Sequence, residues 1–427
     1  MIRILNVNEV REEEIFARNE AALSVEGTVS EILKNVKEKG DAALKEYTLR
    51  FDQAELEDFE VSAAEMKEAL SKIEPSFLKI LEEAAANIRR FHEQQKRSSF
   101  ILNEKNGVIL GQKIVPLQRV GVYVPGGTAA YPSSVLMNVI PAKIAGCKNI
   151  VMVSPPDRNG KISDVILAAA AVAGVDHIYK IGGAQAIGAL AYGSESIPNV
   201  DKIVGPGNAY VAEAKRQVYG QVSIDMIAGP SEILIIADAA SDPRFLAADL
   251  LSQAEHDKMA SAVLVTDSKD LAETTAAEIE RQLEILPRKA IASASIENNG
   301  KIIIAASIEQ AIEIANRIAP EHLELCIDQP FDHLDAIRNA GSVFLGRNTP
   351  EALGDYFAGT NHILPTSGTA RFSSPLSVDD FVKKMQYTYY SADALRAVSD
   401  KVAAFARKEG LYAHARSALI RNKEDDL

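Results

Sequence analysis

The feature that most constrains this chain is a repeated alternation of short apolar stretches with glycine turns and alanine-rich helical segments. Strands that alternate with helices form parallel sheets covered by helices on both faces. The sequence therefore predicts an α/β fold. The first alternation contains the stretches Val120–Val124, Ile150–Val153, His177–Ile181, Ile203–Val204 and Glu232–Ala237. The second contains Ala262–Thr266, Lys301–Ala305, His322–Ile327 and Ser342–Leu345, with helical segments near 270–285, 308–318 and 331–339.

These patterns divide the chain into four predicted parts. Residues 1–25 form an N-terminal arm, residues 26–114 and 239–375 one α/β module, residues 115–238 a second α/β module, and residues 376–427 a helical tail. Each module is expected to be an incomplete Rossmann-like parallel sheet. The residues before 100 are helical in pattern, with a capping box at Ser62–Glu65. Pro75 interrupts the helical run, and a second helix continues to about Lys96.

Charge and cysteine content exclude several classes of protein. The net charge of −13 argues against nucleic acid as a partner, because phosphate binding needs clustered Lys and Arg. Cys147 and Cys326 form no CxxC pair, so neither a disulfide framework nor a thiolate zinc site is expected, and both read as buried. The N-terminus has no signal-peptide core, and the apolar run 165–175 is too short to span a membrane. We expect a cytoplasmic protein.

Three strand-to-helix junctions are rich in glycine, at residues 121–127, 182–185 and 205–208. Glycine lets the backbone approach an anion, and a helix N-terminus offers free N–H donors, which suits a pyrophosphate. The full GxGxxG pattern is absent, since Tyr210 stands at the third glycine position after Gly205 and Gly207. These junctions are therefore compatible with nucleotide binding and equally with ordinary turns.

Four of the seven histidines lie in clusters of polar residues. Gln253 and His256 are three residues apart near the end of a helix that Asp242 and Pro243 should begin, so they could form half of a metal site or a surface polar pair. Glu321 and His322 are adjacent, between a helical segment and a strand. They could be proton-transfer groups in a cleft, or ordinary residues at the boundary between the two elements. The remaining two clusters are the irregular segment 354–362, with Asp355 and His362, and the segment 409–414, with Glu409 and His414.

Taken together, these segments resemble the histidinol dehydrogenase family over nearly the whole chain. The resemblance rests on eight segments in order: residues 123–127 (YVPGG), 182–187 (GGAQAI), 205–208 (GPGN), 229–232 (GPSE), 251–256 (LSQAEH), 319–322 (APEH), 354–362 (GDYFAGTNH) and 409–414 (EGLYAH). Each alone could occur by chance, whereas all eight in this order are highly specific.

The resemblance implies a zinc- and NAD-dependent dehydrogenase that oxidises L-histidinol through L-histidinaldehyde to L-histidine. It implies zinc ligands at Gln253, His256, Asp355 and His414, and NAD contacts at Tyr123, Gln185 and Asn208 in the module 115–238. The implied substrate contacts are Ser231, Gln253, His256, His322, Asp355, His362, Glu409 and His414. It further implies that His322 takes the hydroxyl proton and that Glu321 activates the water that hydrates the aldehyde.

The resemblance also implies an intertwined homodimer, in which the tail residues Glu409 and His414 complete the active site of the neighbouring subunit. Three other interpretations stay open from the sequence. One is a relative with the same scaffold and zinc set that oxidises another polar alcohol, such as a sulfonated diol. The others are a thiol-dependent aldehyde dehydrogenase using Cys147 and a non-catalytic zinc-binding protein.

Overall fold

The computed structural model describes residues 2–18, 25–104, 107–126 and 130–422. Gly127 of the first glycine turn lies outside the described residues, as do parts of the predicted arm and tail (19–24 and 423–427). The chain forms two compact units: the first comprises Met1–Gln95 and Gln118–Phe381, and the second Lys96–Leu117 and Val382–Leu427. Within the described ranges no helix has the length and apolar composition that a bilayer crossing requires.

Nine of the fourteen strands in the described residues lie where the alternation predicted them, and the other five, Arg3–Asn6, Phe100–Glu104, Val108–Pro116, Ser223–Ile224 and Val382–Tyr390, were not predicted. The strands are β1 (Arg3–Asn6), β2 (Phe100–Glu104), β3 (Val108–Pro116), β4 (Arg119–Tyr123), β5 (Asn149–Ser154), β6 (His177–Lys180), β7 (Lys202–Val204), β8 (Ser223–Ile224), β9 (Glu232–Ala237), β10 (Ser261–Thr266), β11 (Lys301–Ile304), β12 (His322–Cys326), β13 (Ser342–Leu345) and β14 (Val382–Tyr390).

The helices are mostly short and fall between these strands. They are α1 (Glu12–Phe16), α2 (Glu26–Lys39), α3 (Asp41–Asp52), α4 (Ala63–Lys72), α5 (Pro75–Glu93), α6 (Pro132–Ala145), α7 (Asp164–Ala173), α8 (Gly183–Tyr192), α9 (Ala209–Val218), α10 (Pro243–Ala254), α11 (Lys269–Leu283), α12 (Lys289–Asn299), α13 (Ile308–Ile318), α14 (Glu351–Tyr356), α15 (Ala392–Arg396), α16 (Ser399–Lys408) and α17 (Tyr412–Leu419). Short 3-10 helices cover Pro330–Ala336, Thr369–Arg371, Val378–Phe381 and Ile420–Asn422.

A five-stranded parallel sheet forms one half of the first unit, in the order β6-β5-β4-β7-β8. Its central strands are buried on both faces, as parallel sheets covered by helices require. Helices α2 and α3 contribute Val29, Leu33 and Leu44 to the core on one face of this sheet. The strand order reverses between β4 and β7, and such reversals leave a crevice at the carboxyl ends of the strands.

A six-stranded parallel sheet forms the other half of the first unit, in the order β1-β11-β10-β9-β12-β13. The sequence pattern grouped Glu232–Ala237 with the first alternation, whereas the structure makes it a central strand of this second sheet. Alternation along a chain shows that strands exist, but tertiary packing decides which sheet each strand joins. The residues of β1, assigned to the arm, pair in parallel with β11.

The second unit contains the antiparallel sheet β14-β3-β2, followed by α15 to α17. The prediction of a helical tail over residues 376–427 is wrong for Val382–Tyr390, which is a nine-residue strand. Its aromatic and β-branched residues favour a strand. Its partner, β3, is distant in the sequence, so the sequence pattern could not reveal the pairing. The two parallel sheets with helices at both ends of the chain confirm the predicted fold class.

A candidate active site in the first unit

The amino ends of two strands in the six-stranded sheet meet the carboxyl ends of two strands in the five-stranded sheet at one cavity. The cavity has a volume of about 540 Å³. Gly126 and Asn208, which follow β4 and β7, form one wall, and Ser231 and His322, at the starts of β9 and β12, form another. Gly205 lets the backbone after β7 lie against the end of β4, because a Cβ there would lie 2.1 Å from the carbonyl oxygen of Tyr123.

Helix α10 brings Gln253 and His256 to the cavity. Asp242 caps this helix by accepting a hydrogen bond from the backbone N–H of Arg244, and Pro243 is its first residue, as the sequence predicted. Gln253 lies in the last turn, and His256 lies just beyond the helix, with its N–H donating to the Gln253 carbonyl. Both side chains line the cavity, so one helix end provides an amide and an imidazole to the same space.

The ring of His322 is held by buried polar groups at Nδ1 only. Nδ1 lies 3.0 Å from the backbone carbonyl oxygen of Glu232 and 3.0 Å from Nε2 of Gln253. Nε2 is buried without a hydrogen-bond partner and lies 3.6 Å from Oδ1 of Asp355. An Nδ1–H that donates to the Glu232 carbonyl leaves Nε2 as the atom that can exchange a proton.

Glu321 and His322 are a buried acidic and a buried basic side chain that shift each other's pKa values. Burial raises the pKa of the Glu321 carboxyl to about 8, and the nearby imidazole opposes that rise. Burial works to lower the pKa of His322, but the carboxylates of Glu321 and Asp355 outweigh it and raise the pKa to about 10. The backbone N–H of Glu232 donates to Glu321 Oε2 at 2.9 Å, so its carboxyl group has a defined orientation.

Asp355 lies on α14, opposite the His322 ring. The sequence interpreted residues 354–362 as irregular, which is wrong at their start because α14 continues through Tyr356. His362 comes from the loop beyond, and its Nδ1 donates to the backbone carbonyl of Asp355 at 3.0 Å. Burial lowers the pKa of His362, which favours the neutral ring. The helix and its following loop therefore aim a carboxylate and an imidazole at one point.

The structure brings most of the sequence-predicted residues to this cavity. The residues that line it are Ser231, Gln253, His256, Glu321, His322, Asp355 and His362. Glu409 and His414 belong to the second unit, where both are exposed.

The described residues contain a tight group of potential metal ligands here, formed by His322, Glu351 and Asp355, with one ligand atom from each within 4.8 Å of the others. Gln253 and His256 add an amide and a ring whose pKa burial lowers, so that the ring is neutral and able to ligate. Nitrogen and oxygen donors without a thiolate fit zinc in a site that also admits a substrate. The residues in the first unit therefore fit a divalent metal.

The three predicted NAD contacts line a neighbouring cavity of about 680 Å³ at the carboxyl edge of the five-stranded sheet. Tyr123 and Gln185 are buried there and Asn208 is exposed. The phenol oxygen of Tyr123 accepts the N–H of Gly183, the first residue of α8, and Gln185 Oε1 is buried without a partner. Gly126 and Asn208 border both cavities, so the two spaces adjoin at the strand-order reversal. This arrangement fits an elongated ligand such as a dinucleotide.

Sequence reasoning missed several charged residues behind the site. Arg18 Nη1 lies 3.0 Å from Oε1 of Glu232, whose backbone holds both Glu321 and His322. Glu232 is the last residue of segment 229–232, one of the eight segments on which the resemblance rests. That position could have identified Glu232 as a candidate site residue. Glu351 stands four residues before Asp355, a spacing that would have placed both on one face had the helix been predicted.

The two cysteines are buried, as predicted, and neither lines the candidate site. Burial raises the pKa of the Cys326 thiol, with further contributions from the Glu324 and Asp249 carboxylates. Cys147 contacts the backbone carbonyl of Phe381. A thiolate nucleophile at Cys326 is disfavoured, because only the ionised form reacts.

Comparison with known proteins identifies the family. A family profile described as histidinol dehydrogenase matches residues 17–422. The chain is 56% identical over 420 residues to a histidinol dehydrogenase of Listeria monocytogenes, covering 98% of this chain and 97% of the relative. It is 59% identical over 403 residues to a histidinol dehydrogenase of Bacillus cereus, covering 94% of each. A crystal structure of histidinol dehydrogenase from Elizabethkingia anophelis superposes with a TM-score of 0.93 at 40% identity, covering 98% of both chains. The chain belongs to the histidinol dehydrogenase family.

Proposed function

We propose that this chain oxidises L-histidinol to L-histidine through L-histidinaldehyde, using one zinc ion per subunit and two molecules of NAD per substrate. The observation that carries the proposal is the Glu321–His322 pair, buried in the same cavity as Gln253, His256 and Asp355. A carboxyl and an imidazole whose pKa values are shifted by burial and by each other are suited to proton transfer at a reacting alcohol.

Gln253, His256 and Asp355 would hold the zinc, together with His414 of a second copy. Zinc, when bound, would position the imidazole and amine of the substrate and add positive charge beside the Asp355 carboxylate. That charge would work against the carboxylates that raise the pKa of His322, which favours the neutral ring that a base requires.

His322 would take the hydroxyl proton of histidinol at Nε2, the ring nitrogen without a hydrogen-bond partner. NAD, when bound beside Tyr123, Gln185 and Asn208, would accept one hydride from the substrate carbon in each of the two oxidations. Gly126 and Asn208 border both cavities, so the nicotinamide end can approach the substrate from the second cavity.

Glu321 would act between the two oxidations. The aldehyde carbon must gain a hydroxyl from water before it can lose a second hydride, and the Glu321 carboxylate would remove the proton of that water. The backbone N–H of Glu232 fixes this carboxyl group beside the cavity. His322, protonated by the first oxidation, would return that proton to the aldehyde oxygen as the hydrate forms. It would then take a hydroxyl proton of the hydrate as the second hydride leaves, which gives the acid.

A second copy of the chain would complete each site. Three of the four proposed zinc ligands belong to the first unit, whereas His414 and Glu409 lie exposed on the second. We therefore propose a homodimer in which these tail residues act in the neighbour's cavity. A cytoplasmic location is proposed on the sequence alone.

The decisive experiment is an assay of NADH formation with L-histidinol, before and after a chelator and after zinc is added back. We expect about two NADH per histidinol, loss of activity with the chelator and recovery with zinc. A panel of other amino alcohols and diols, including a sulfonated diol, serves as the control for substrate identity. No NADH from histidinol would reject the proposal, and turnover that survives complete zinc removal would reject its metal requirement.

A further inference from the structure

The cavity that contains the predicted NAD contacts has a wall that the proposed function leaves unexplained. This wall comes from α2 and α3 and consists of Thr28, Glu31, Ile32, Tyr47, Arg50, Phe51 and Asp52. It belongs to the second cavity and not to the one that holds His322. Because the nicotinamide must reach the cavity of His322, the far wall formed by α2 and α3 is left to the adenosine half of the cofactor.

Asp52 provides this wall with a buried polar atom that has no partner. Its Oδ2 atom is buried and makes no hydrogen bond. Asp52 also lies close enough to Tyr123 for its charge to raise the pKa of the phenol, in addition to the larger effect of burial. A buried carboxylate oxygen without a donor is costly, and a ligand hydroxyl would remove that cost.

The segment after the second strand, the usual position for a ribose-binding acid, provides no carboxylate that lines this cavity. In dinucleotide-binding sheets an Asp or Glu after the second strand of the unit accepts the ribose hydroxyl and disfavours a 2′-phosphate. Here the second strand of the sheet, β5, ends at Ser154 and is followed by Pro155 and Pro156. Both prolines line the cavity, whereas Asp157, the next residue, does not line it, and its carboxylate accepts the backbone N–H groups of Asn159 and Lys161.

We propose that Asp52 accepts a hydrogen bond from the adenosine ribose of the cofactor and thereby selects NAD over NADP. The proposal rests on the proposed function only in that NAD occupies this cavity. The carboxylate would attract the free 2′-hydroxyl of NAD and repel the 2′-phosphate of NADP. Arg50, the cation of the same wall, is exposed, and its guanidinium lies 5.3 Å from the ring centre of Phe51.

The test compares Asp52→Asn with the unchanged protein in direct binding measurements. Zinc-loaded protein is titrated calorimetrically with NAD and NADP, and with ADP-ribose and its 2′-phosphate, which lack the nicotinamide. We expect the unchanged protein to prefer the unphosphorylated member of each pair. Asp52→Asn should lower the affinity for ADP-ribose by roughly tenfold, as loss of a hydrogen bond to a charged group does. The ratio of the affinities for ADP-ribose and its 2′-phosphate should fall by at least that factor.

Glu46→Gln is the matched control, since Glu46 is exposed on the same helix, loses the same charge and does not line the cavity. It should leave all four affinities unchanged. If the ratio of the affinities for the unphosphorylated and phosphorylated ligands is the same in Asp52→Asn and in the unchanged protein, the inference is overturned. If that result accompanies weakened NAD binding in Gln185→Ala, the proposed cofactor site stands without a role for Asp52. If the unchanged protein binds no NAD and forms no NADH, the proposed function itself fails.

Discussion

A histidine can remove a proton only through a nitrogen that is not already committed, and the surroundings of His322 make that commitment unequal. Nδ1 faces the Glu232 carbonyl and Gln253, whereas Nε2 faces Asp355 without a hydrogen bond. Sequence spacing could place Glu321 beside His322 but could not show which ring nitrogen is free. That distinction depends on a backbone carbonyl from β9, which lies about ninety residues earlier.

Substitutions of the two adjacent residues should separate the two oxidations. His322→Gln should lower kcat by at least about 10²-fold for both histidinol and histidinaldehyde, the usual effect of losing a proton-transfer group, while zinc content stays unchanged. Glu321→Gln should lower oxidation of histidinaldehyde more than oxidation of histidinol, because only the aldehyde needs activated water. Steady-state rates with each substrate provide the measurement. Equal losses in both steps would remove the water-activating role from Glu321.

Arg18 should matter for turnover although it touches no predicted substrate contact. It neutralises the largely buried Glu232 carboxylate, and the backbone of Glu232 orients Glu321 and His322. Arg18→Met should reduce kcat by roughly tenfold through misalignment of the pair, with the KM for histidinol changed less than about twofold. Arg18→Lys should recover most of the activity because it restores the charge.

Arg317→Met is a suitable control for this pair. Arg317 also pairs with a carboxylate, Glu12, but both side chains are more than half exposed. Exposed pairs contribute little, so activity should be unchanged. A normal kcat in Arg18→Met, or the same loss in Arg18→Lys, would show that the ion pair does not position the catalytic groups.

At the scale of elements, the sequence predicted strands better than sheets. The bounds of β9 and β13 agree with the apolar stretches, because buried parallel strands are continuous apolar runs. The sequence could not show that β9 belongs to the second sheet or that β14 pairs with β3, since both depend on partners distant in the chain. α14 was missed because six residues with one glycine carry too little helical periodicity.

Helix α10 depends on its cap to present Gln253 and His256. Asp242→Ala removes the acceptor for the Arg244 N–H and should lower the local stability of α10 by about 1 kcal/mol. Native-state hydrogen exchange should show roughly fivefold less protection of the α10 amides, and zinc affinity should fall with it. Asp242→Asn keeps a capping oxygen and should behave like the unchanged protein. Full protection in the alanine variant would show that packing alone holds the helix.

A buried carboxyl group anchors α14 and should make stability depend on pH. Glu324 Oε1 accepts the N–H of Glu351, the first residue of α14, and burial together with the Asp249 carboxylate raises the pKa of Glu324 well above its usual value. Burial also raises the pKa of Asp249, to about 6. These two groups therefore bind more protons in the folded chain than in the unfolded chain above pH 4, and the stability that they contribute is lost as pH rises through their raised pKa values.

Glu324→Gln should remove part of the loss of folding stability at high pH, because the amide mimics the protonated acid and can still accept the Glu351 N–H. The melting temperature of the variant should exceed that of the unchanged protein by more at pH 8 than at pH 5. Glu273→Gln, an exposed change of the same charge on α11, should show no such dependence. An identical difference at the two pH values would contradict the assigned protonation of Glu324.

At the scale of the whole molecule, the proposed tail exchange makes a quantitative prediction for mixed dimers. His322→Gln damages a residue of the first unit and His414→Asn a residue of the second, so each homodimer should be inactive. In a mixed dimer one site combines an intact His322 with an intact His414 from the neighbour. Random reassortment makes half of the dimers mixed, each with one intact site of two, so activity should recover to about a quarter of normal.

The matching control mixes His322→Gln with Asp355→Asn. Both residues line the same cavity of the first unit, so no reassortment can rebuild an intact site from them if the cavity comes from one chain. The measurement is NADH formation from histidinol after the variants are dissociated in mild denaturant and refolded together. Recovery only with the His414 variant requires the tail to act across the dimer, whereas no recovery in either mixture, with mixed dimers verified by mass, would confine each site to one chain.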